Sequence, residues 1–155
     1  MKTIAIIGCG RIANGAHLPA LSKLDNVRIK YACDLLIHKA EAAKEKYPKI
    51  EQVITDYHVA LNDPEVEAVV ITSIDATHHD YVMKVLAEEK WCFCEKPLAL
   101  TREELCGIVR AADKSSAKFM VGQVSRFTDA FIKAKEIVDA GTIGELYYVE
   151  SEYAH

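Results

Sequence analysis

No run of basic residues occurs in this 155-residue sequence, and its 19 lysines and arginines are outnumbered by 23 acids, for a net charge of −4. That balance excludes the electrostatic footprint of a nucleic-acid binder. No apolar stretch reaches membrane-spanning length, so no membrane partner is expected. The first residues enter a strand-like segment at once, without a leader-peptide pattern, and a cytoplasmic protein is the expectation. Cysteine occurs five times (Cys9, Cys33, Cys92, Cys94, Cys106) but with neither C-x-x-C spacing nor a disulfide-scaffold rhythm. Four of the five lie in or beside apolar strand-like runs, which reads as buried reduced thiols. Cys92 and Cys94 alternate along a strand and so face opposite ways, which argues against a metal or redox pair. No metal site is expected.

What the chain does have is a length and a hydrophobic share of one half, suited to a compact core, and a regular alternation of strand and helix signals. Thr3 to Ile7 reads as a buried strand running into Gly8-Cys9-Gly10-Arg11-Ile12-Ala13, a G-x-G-x-x-A turn. Ile12, Leu18, Leu21 and Leu24 then predict a helix over 11–24, with Pro19 as a kink or break. Val27–Cys33 is a second strand, 36–47 a helix stopped before Pro48, and Gln52–Ile54 a short third strand. One or two helical turns follow at 56–61, with a turn at Asn62-Asp63-Pro64. The second half repeats the pattern: a strand at Ala68–Thr72, a helix at 77–89, and a strand at Trp91–Cys94. Thr101 and Glu104 form a capping box opening an amphipathic helix, and a sixth strand covers Lys118–Val121. Six strands with helical crossovers predict an α/β fold with a doubly wound parallel sheet, Rossmann-like, in the order 3-2-1-4-5-6. Beyond it, Phe127–Ala140 predicts a further helix, and Leu146–Tyr153 alternates as a lone strand. The expected division is therefore 1–123 and 124–155, the latter a helix and first strand of a truncated second α/β domain. The unpaired edge of that strand invites association with another copy, so residues 142–155 are expected to be disordered or paired between chains, and a homo-oligomer is the expectation.

The chemistry-bearing positions gather at strand ends. In the first turn, Gly8 permits the tight bend, Gly10 lets the backbone approach a pyrophosphate, and Ala13 lets the helix pack closely. The amides at Arg11 and Ile12 then face the phosphates with the positive end of the helix dipole. Asp34 ends the second strand, 24 residues past Gly10, where a dinucleotide site needs a carboxylate for ribose hydroxyls; a turn aspartate is the competing reading. Leu35 and Leu36 follow without an arginine to hold a 2′-phosphate, which favours NAD, although Lys39 keeps NADP possible. Ser73–His79 follows the fourth strand across the switch point. His78 and His79 could be acid/base groups, but adjacent residues at a helix start point apart, so joint metal ligation is not expected. Glu95-Lys96-Pro97 sets an ammonium at the carboxyl edge of the sheet, where it could bond a reacting oxygen; a solvated pair before a helix is the alternative. Pro97 could hold a cis bond.

Taken together, Gly8-x-Gly10-x-x-Ala13, Asp34, Cys94-Glu-Lys-Pro-Leu-Ala99, Val121-Gly122 before Arg126-Phe127, and Gly141-Thr-Ile-Gly144 resemble the glucose–fructose oxidoreductase / inositol dehydrogenase (Gfo/Idh/MocA) family along the full chain. The resemblance implies an NAD(P)-dependent dehydrogenase acting on a sugar, cyclitol or related hydroxyl compound. In that reading Lys96 is the catalytic lysine at the substrate oxygen, and Glu95 shapes the nicotinamide site. Ser73, Asp75 and His78 occupy the family's Thr-Pro-Asn-x-x-His loop, with Ile74 for proline and Asp75 for asparagine. Arg126 joins the implied cofactor contacts, although Gln123-Val-Ser125 departs from the commoner lead-in. The resemblance also implies that the Asp and His completing catalysis lie in a C-terminal domain beyond His155, which matches neither, and that this cofactor half is inactive alone. A non-enzymatic dinucleotide-binding regulatory module and an NAD-dependent glycosidase relative are the alternatives.

Overall fold

A computed structural model describes residues 1–152 of the chain. They form two units, Met1–Gly122 and Gln123 onward. In the first, six parallel strands pair in the order β3-β2-β1-β4-β5-β6: β1 Lys2–Ile7, β2 Val27–Cys33, β3 Ile50–Ile54, β4 Ala68–Ile71, β5 Trp91–Cys94 and β6 Phe119–Val121. The order is the one that strand–helix alternation predicts. Neighbours β1 and β4, adjacent in space but not in sequence, mark the switch point.

Both faces of the sheet are covered. Ala5 and Ile7 belong to one apolar cluster, Ile4 and Ile6 to the other, so the period-two alternation of β1 feeds two cores. On the first face lie α3 (Tyr57–Leu61), α4 (His78–Ala87) and α5 (Arg102–Lys114), contributing Leu61, Val82, Val85, Leu86 and Ile108. On the second lie the helix after the glycine turn and α2 (Ile37–Lys46), contributing Ala13, Leu18, Ala40 and Ala43. α3 is capped by Asp56, whose carboxylate accepts from the His58 amide, and α5 by the Thr101–Glu104 capping box.

The helix over 11–24 differs from its expected form. It begins as predicted at Arg11, but Ala13–His17 is a π-helical turn, only Leu18–Leu21 (α1) is α-helical beyond it, and the helix stops at Leu21. In the wider register Leu18 donates to the Ala13 carbonyl, and Pro19, with no N–H, leaves the next carbonyl, Asn14, without its donor. The Tyr47 hydroxyl takes that place at 2.7 Å. Pro19 then sits in the first turn of α1, where proline is tolerated.

The second unit contains a 3₁₀ turn at Val124–Phe127 and the helix α6 (Asp129–Asp139), followed by a turn through Gly141 and Gly144 with φ of +66° and +75°. Residues 146–152 form no strand, contrary to the alternation-based expectation, and Tyr153 lies outside the described residues. Alternation marks a side-chain pattern, whereas a strand exists only through a ladder with a neighbour, and no such neighbour occurs among the described residues. The oligomerisation expected through this segment falls in part on residues outside that range.

Candidate active site

The glycine turn is built by contacts from three strands. Gly8 has φ of +92°, and a Cβ there would lie 2.6 Å from the Ser73 Cα, so both conformation and space demand glycine. Its amide donates to the Cys33 carbonyl of β2 (2.8 Å), and its carbonyl accepts from the Thr72 hydroxyl at the end of β4 (2.6 Å). Asn14, one turn into the helix, donates its side-chain amide to the carbonyls of Cys9 (2.8 Å) and Gly10 (3.0 Å). The loop is thus stitched from beneath, leaving its other side open. Around Gly10, a Cβ would meet no protein atom within 4 Å.

That open side faces a cavity of about 690 Å³, lined by Gly8, Gly10, Arg11 and Ile12 from the first turn, Asp34 to Leu36 and Lys39 after β2, and Thr72 to Thr77 after β4. Its size suits a small-molecule or cofactor site. Among its charged groups, Asp34 is held by main-chain amides. One carboxylate oxygen accepts from the Cys9 amide (2.8 Å) and the other from the Leu36 amide (2.9 Å), so the side chain ties the glycine turn to the turn after β2. A carboxylate has about four acceptor positions, so two bonds leave room for two hydroxyl donors. Leu35, Leu36 and Ile74 stand exposed at the rim, an apolar wall beside that charge. The Cys9 and Cys33 thiols beneath are pushed up to about 12, first by burial and then by the Asp34 charge, which makes them inert packing groups.

One strand away from β4, the end of β5 carries Glu95-Lys96-Pro97, with a cis bond between Lys96 and Pro97. Glu95 is buried; its Oε1 lies 2.7 Å from His17 Nε2, and its Oε2 accepts from the Lys96 amide at 3.2 Å. Lys96 itself is exposed.

The structure therefore brings Gly8, Gly10, Arg11, Ile12, Asp34, Ser73 and Asp75 together on one cavity. Glu95 and Lys96 stand at the end of β5 without lining it, and Ala13 is buried where the helix meets the sheet. His78 is fully buried, with Nδ1 2.7 Å from the Pro97 carbonyl and Nε2 3.2 Å from the Ser73 carbonyl, so its ring is occupied by main chain rather than turned to the cavity. His79 pairs with Asp80 instead (2.9 Å). Arg126 belongs to the second unit, on its 3₁₀ turn. Among the described residues no group of three or more His, Cys, Asp or Glu side chains could hold a metal. Asn14, His17 and Thr72 escaped the sequence reading. Only Asn14 carried a usable signal, a polar amide one helical turn after Gly10.

The residues present fit a dinucleotide: an open Gly10 face, free helix-start amides and a pre-bonded carboxylate, in the order diphosphate and ribose require. Sheet order, glycine turn and carboxylate define an NAD-binding Rossmann domain. Residues 2–123 match the GFO_IDH_MocA family, described as an oxidoreductase family with an NAD-binding Rossmann fold. The chain belongs to the Gfo/Idh/MocA family. It is 32% identical over 150 residues to inositol 2-dehydrogenase of Salmonella typhimurium (strain LT2), covering 96% of this chain and 44% of that protein. It is 33% identical over 144 residues to inositol 2-dehydrogenase/D-chiro-inositol 3-dehydrogenase of Lactiplantibacillus plantarum, covering 92% and 41%. Among solved structures, myo-inositol dehydrogenase from Lactobacillus casei in complex with NAD(H) and myo-inositol superposes with a TM-score of 0.86 at 31% identity, over 93% of this chain and 43% of that one. The chain spans less than half the length of the relatives it matches.

Proposed function

We propose that this chain is the cofactor-holding part of a dehydrogenase that oxidises a secondary hydroxyl of a cyclitol or sugar. The observation that carries the reading is a shared edge. Gly8–Ile12, Asp34 and Glu95–Lys96 all stand at the carboxyl edge of the sheet, after β1, β2 and β5, running from the Asp34 side to the Lys96 side of the switch point. The order gives each a role. The turn amides and Arg11 take the diphosphate, Asp34 accepts from the adenosine ribose, and Ser73 and Asp75 border the cofactor across the switch point. NAD supplies the hydride acceptor. Lys96 donates a hydrogen bond to the substrate oxygen and stabilises the negative charge that grows there as its proton leaves. Residues 124–155, which include Arg126, begin a domain that selects substrate and joins copies. The substrate class is supported by the inositol dehydrogenases among the relatives, and the need for further catalytic residues by the length those relatives have beyond the match.

Titration with NADH, followed by nicotinamide fluorescence, tests the cofactor site. Saturable binding is expected, and none at millimolar NADH would refute the site. Incubating the chain with NAD and myo-inositol tests the division of labour. Binding without NADH production is expected, and sustained turnover would refute the claim that further residues are required.

A further inference from the structure

Two histidines grip the Glu95–Pro97 segment from opposite faces of the sheet. His17 arrives from the face packed by Ala13 and Leu18, on the π-helical turn, and sets its Nε2 2.7 Å from Glu95 Oε1. Its ring meets Phe93 edge-on, with centroids 5.1 Å apart. Both members of the pair are largely out of water, with side chains 18% and 12% exposed. Behind them stands Gly122, where a Cβ would lie 3.1 Å from Glu95 Oε1 and 3.2 Å from Phe93 Cζ, so the carboxylate fills room that glycine leaves. The other face is packed by Val82 and Val85, and from it His78 holds the Pro97 carbonyl at 2.7 Å.

A buried carboxylate is costly unless paired and hydrogen-bonded. The cost here falls on a group whose second oxygen bonds the Lys96 amide. His17 therefore acts through Glu95 on the main chain from which Lys96 projects. Asp34 and the glycine turn are held by hydrogen-bond partners of their own.

We propose that His17 is a positioning residue for the nicotinamide end of the site: by fixing the Glu95 carboxylate it sets the main chain at Lys96, with no part in holding the adenosine end. The proposal rests on the cofactor reading given above. The probes are NADH and ADP-ribose, which share the adenosine and diphosphate but differ in the nicotinamide. With the full chain, both ligands are expected to bind. His17→Ala is expected to weaken NADH about tenfold, because the bound nicotinamide must then order the Glu95–Lys96 segment itself, and to leave ADP-ribose within about twofold, which also serves as the check that the variant is folded. His17→Gln, whose amide nitrogen can donate to Glu95, is expected to recover most of the NADH affinity. Gly122→Ala, which crowds the carboxylate from behind, should show the same selective loss and decides the matter if His17→Ala does not fold. Equal weakening of both ligands, or unchanged NADH affinity, overturns the proposal while leaving the cofactor site standing. Failure of the unmodified chain to bind either ligand overturns the cofactor site itself.

Discussion

Gly8 and Gly10 stand two residues apart in one motif, yet the structure assigns them separable duties. Gly8→Ala places a side chain at φ of +92° with its Cβ 2.6 Å from the Ser73 backbone. The left-handed backbone costs about 1–2 kcal/mol and the overpacking about 1–3 kcal/mol, together about 2–5 kcal/mol from a stability on the order of 5–15 kcal/mol. At about 2–4 °C per kcal/mol for a chain of this size, Tm should fall by roughly 4–20 °C. Gly10→Ala meets nothing within 4 Å and has a φ outside the left-handed region, so its Tm should shift by no more than about 1 kcal/mol would produce. Its Cβ would instead enter the open face toward the cavity, and NADH affinity should drop by about tenfold or more. Thermal melts followed by circular dichroism, paired with NADH titrations of each variant, read the two effects separately. The reasoning fails if both variants lose stability equally, or if Gly10→Ala binds NADH as the unmodified chain does.

Other outcomes follow from single side chains. Asp34→Ala removes the acceptor for the Cys9 and Leu36 amides as well as the proposed ribose partner, so NADH affinity should fall by about tenfold or more, and an unchanged titration would contradict the assignment. Four of the five thiols are buried, and Cys9, Cys33 and Cys94 are each pushed up to about 12 chiefly by burial. A native thiol titration should therefore count one fast group, Cys106, and all five only after denaturation. Lys30 lies 2.5 Å from Asp63, which also accepts from the Tyr31 hydroxyl, and holds its carboxyl down at about 2. A carboxyl lowered on folding stabilises above its unfolded value near 4 and loses that contribution as pH falls toward 2. Lys30→Met should flatten the acid limb of a stability–pH profile there, and an identical limb would refute the pairing.

The topology was legible because apolar strand-like runs alternate with helical periods, and β2 and β5 fall on their expected residues to the last position. The place of Asp34 on the cavity, after β2, was legible through spacing. The π turn was not, since apolar residues of a helix recur at nearly the same interval in either register, and only the missing Pro19 amide hinted at it. His17 and Glu95 lie 78 residues apart, and nothing local couples them. His78 showed the reverse: its place at a helix start was readable, but its burial between two carbonyls depends on where the segment after β5 returns. The segment after Gly144 misled because alternation fixes which way side chains point and says nothing of whether a neighbour exists.

Most amides at the carboxyl edge of the sheet donate to carbonyls, but that of Cys9 donates to the Asp34 carboxylate at 2.8 Å. Its hydrogen exchange is therefore governed by the charge and occupancy of one side chain rather than by ladder fraying. A single resonance thus reports on the Asp34 corner of the cavity: slow exchange while Asp34 holds it, release when the carboxylate is neutralised or drawn away. That amide is a built-in gauge of whether the corner is set to receive a ligand.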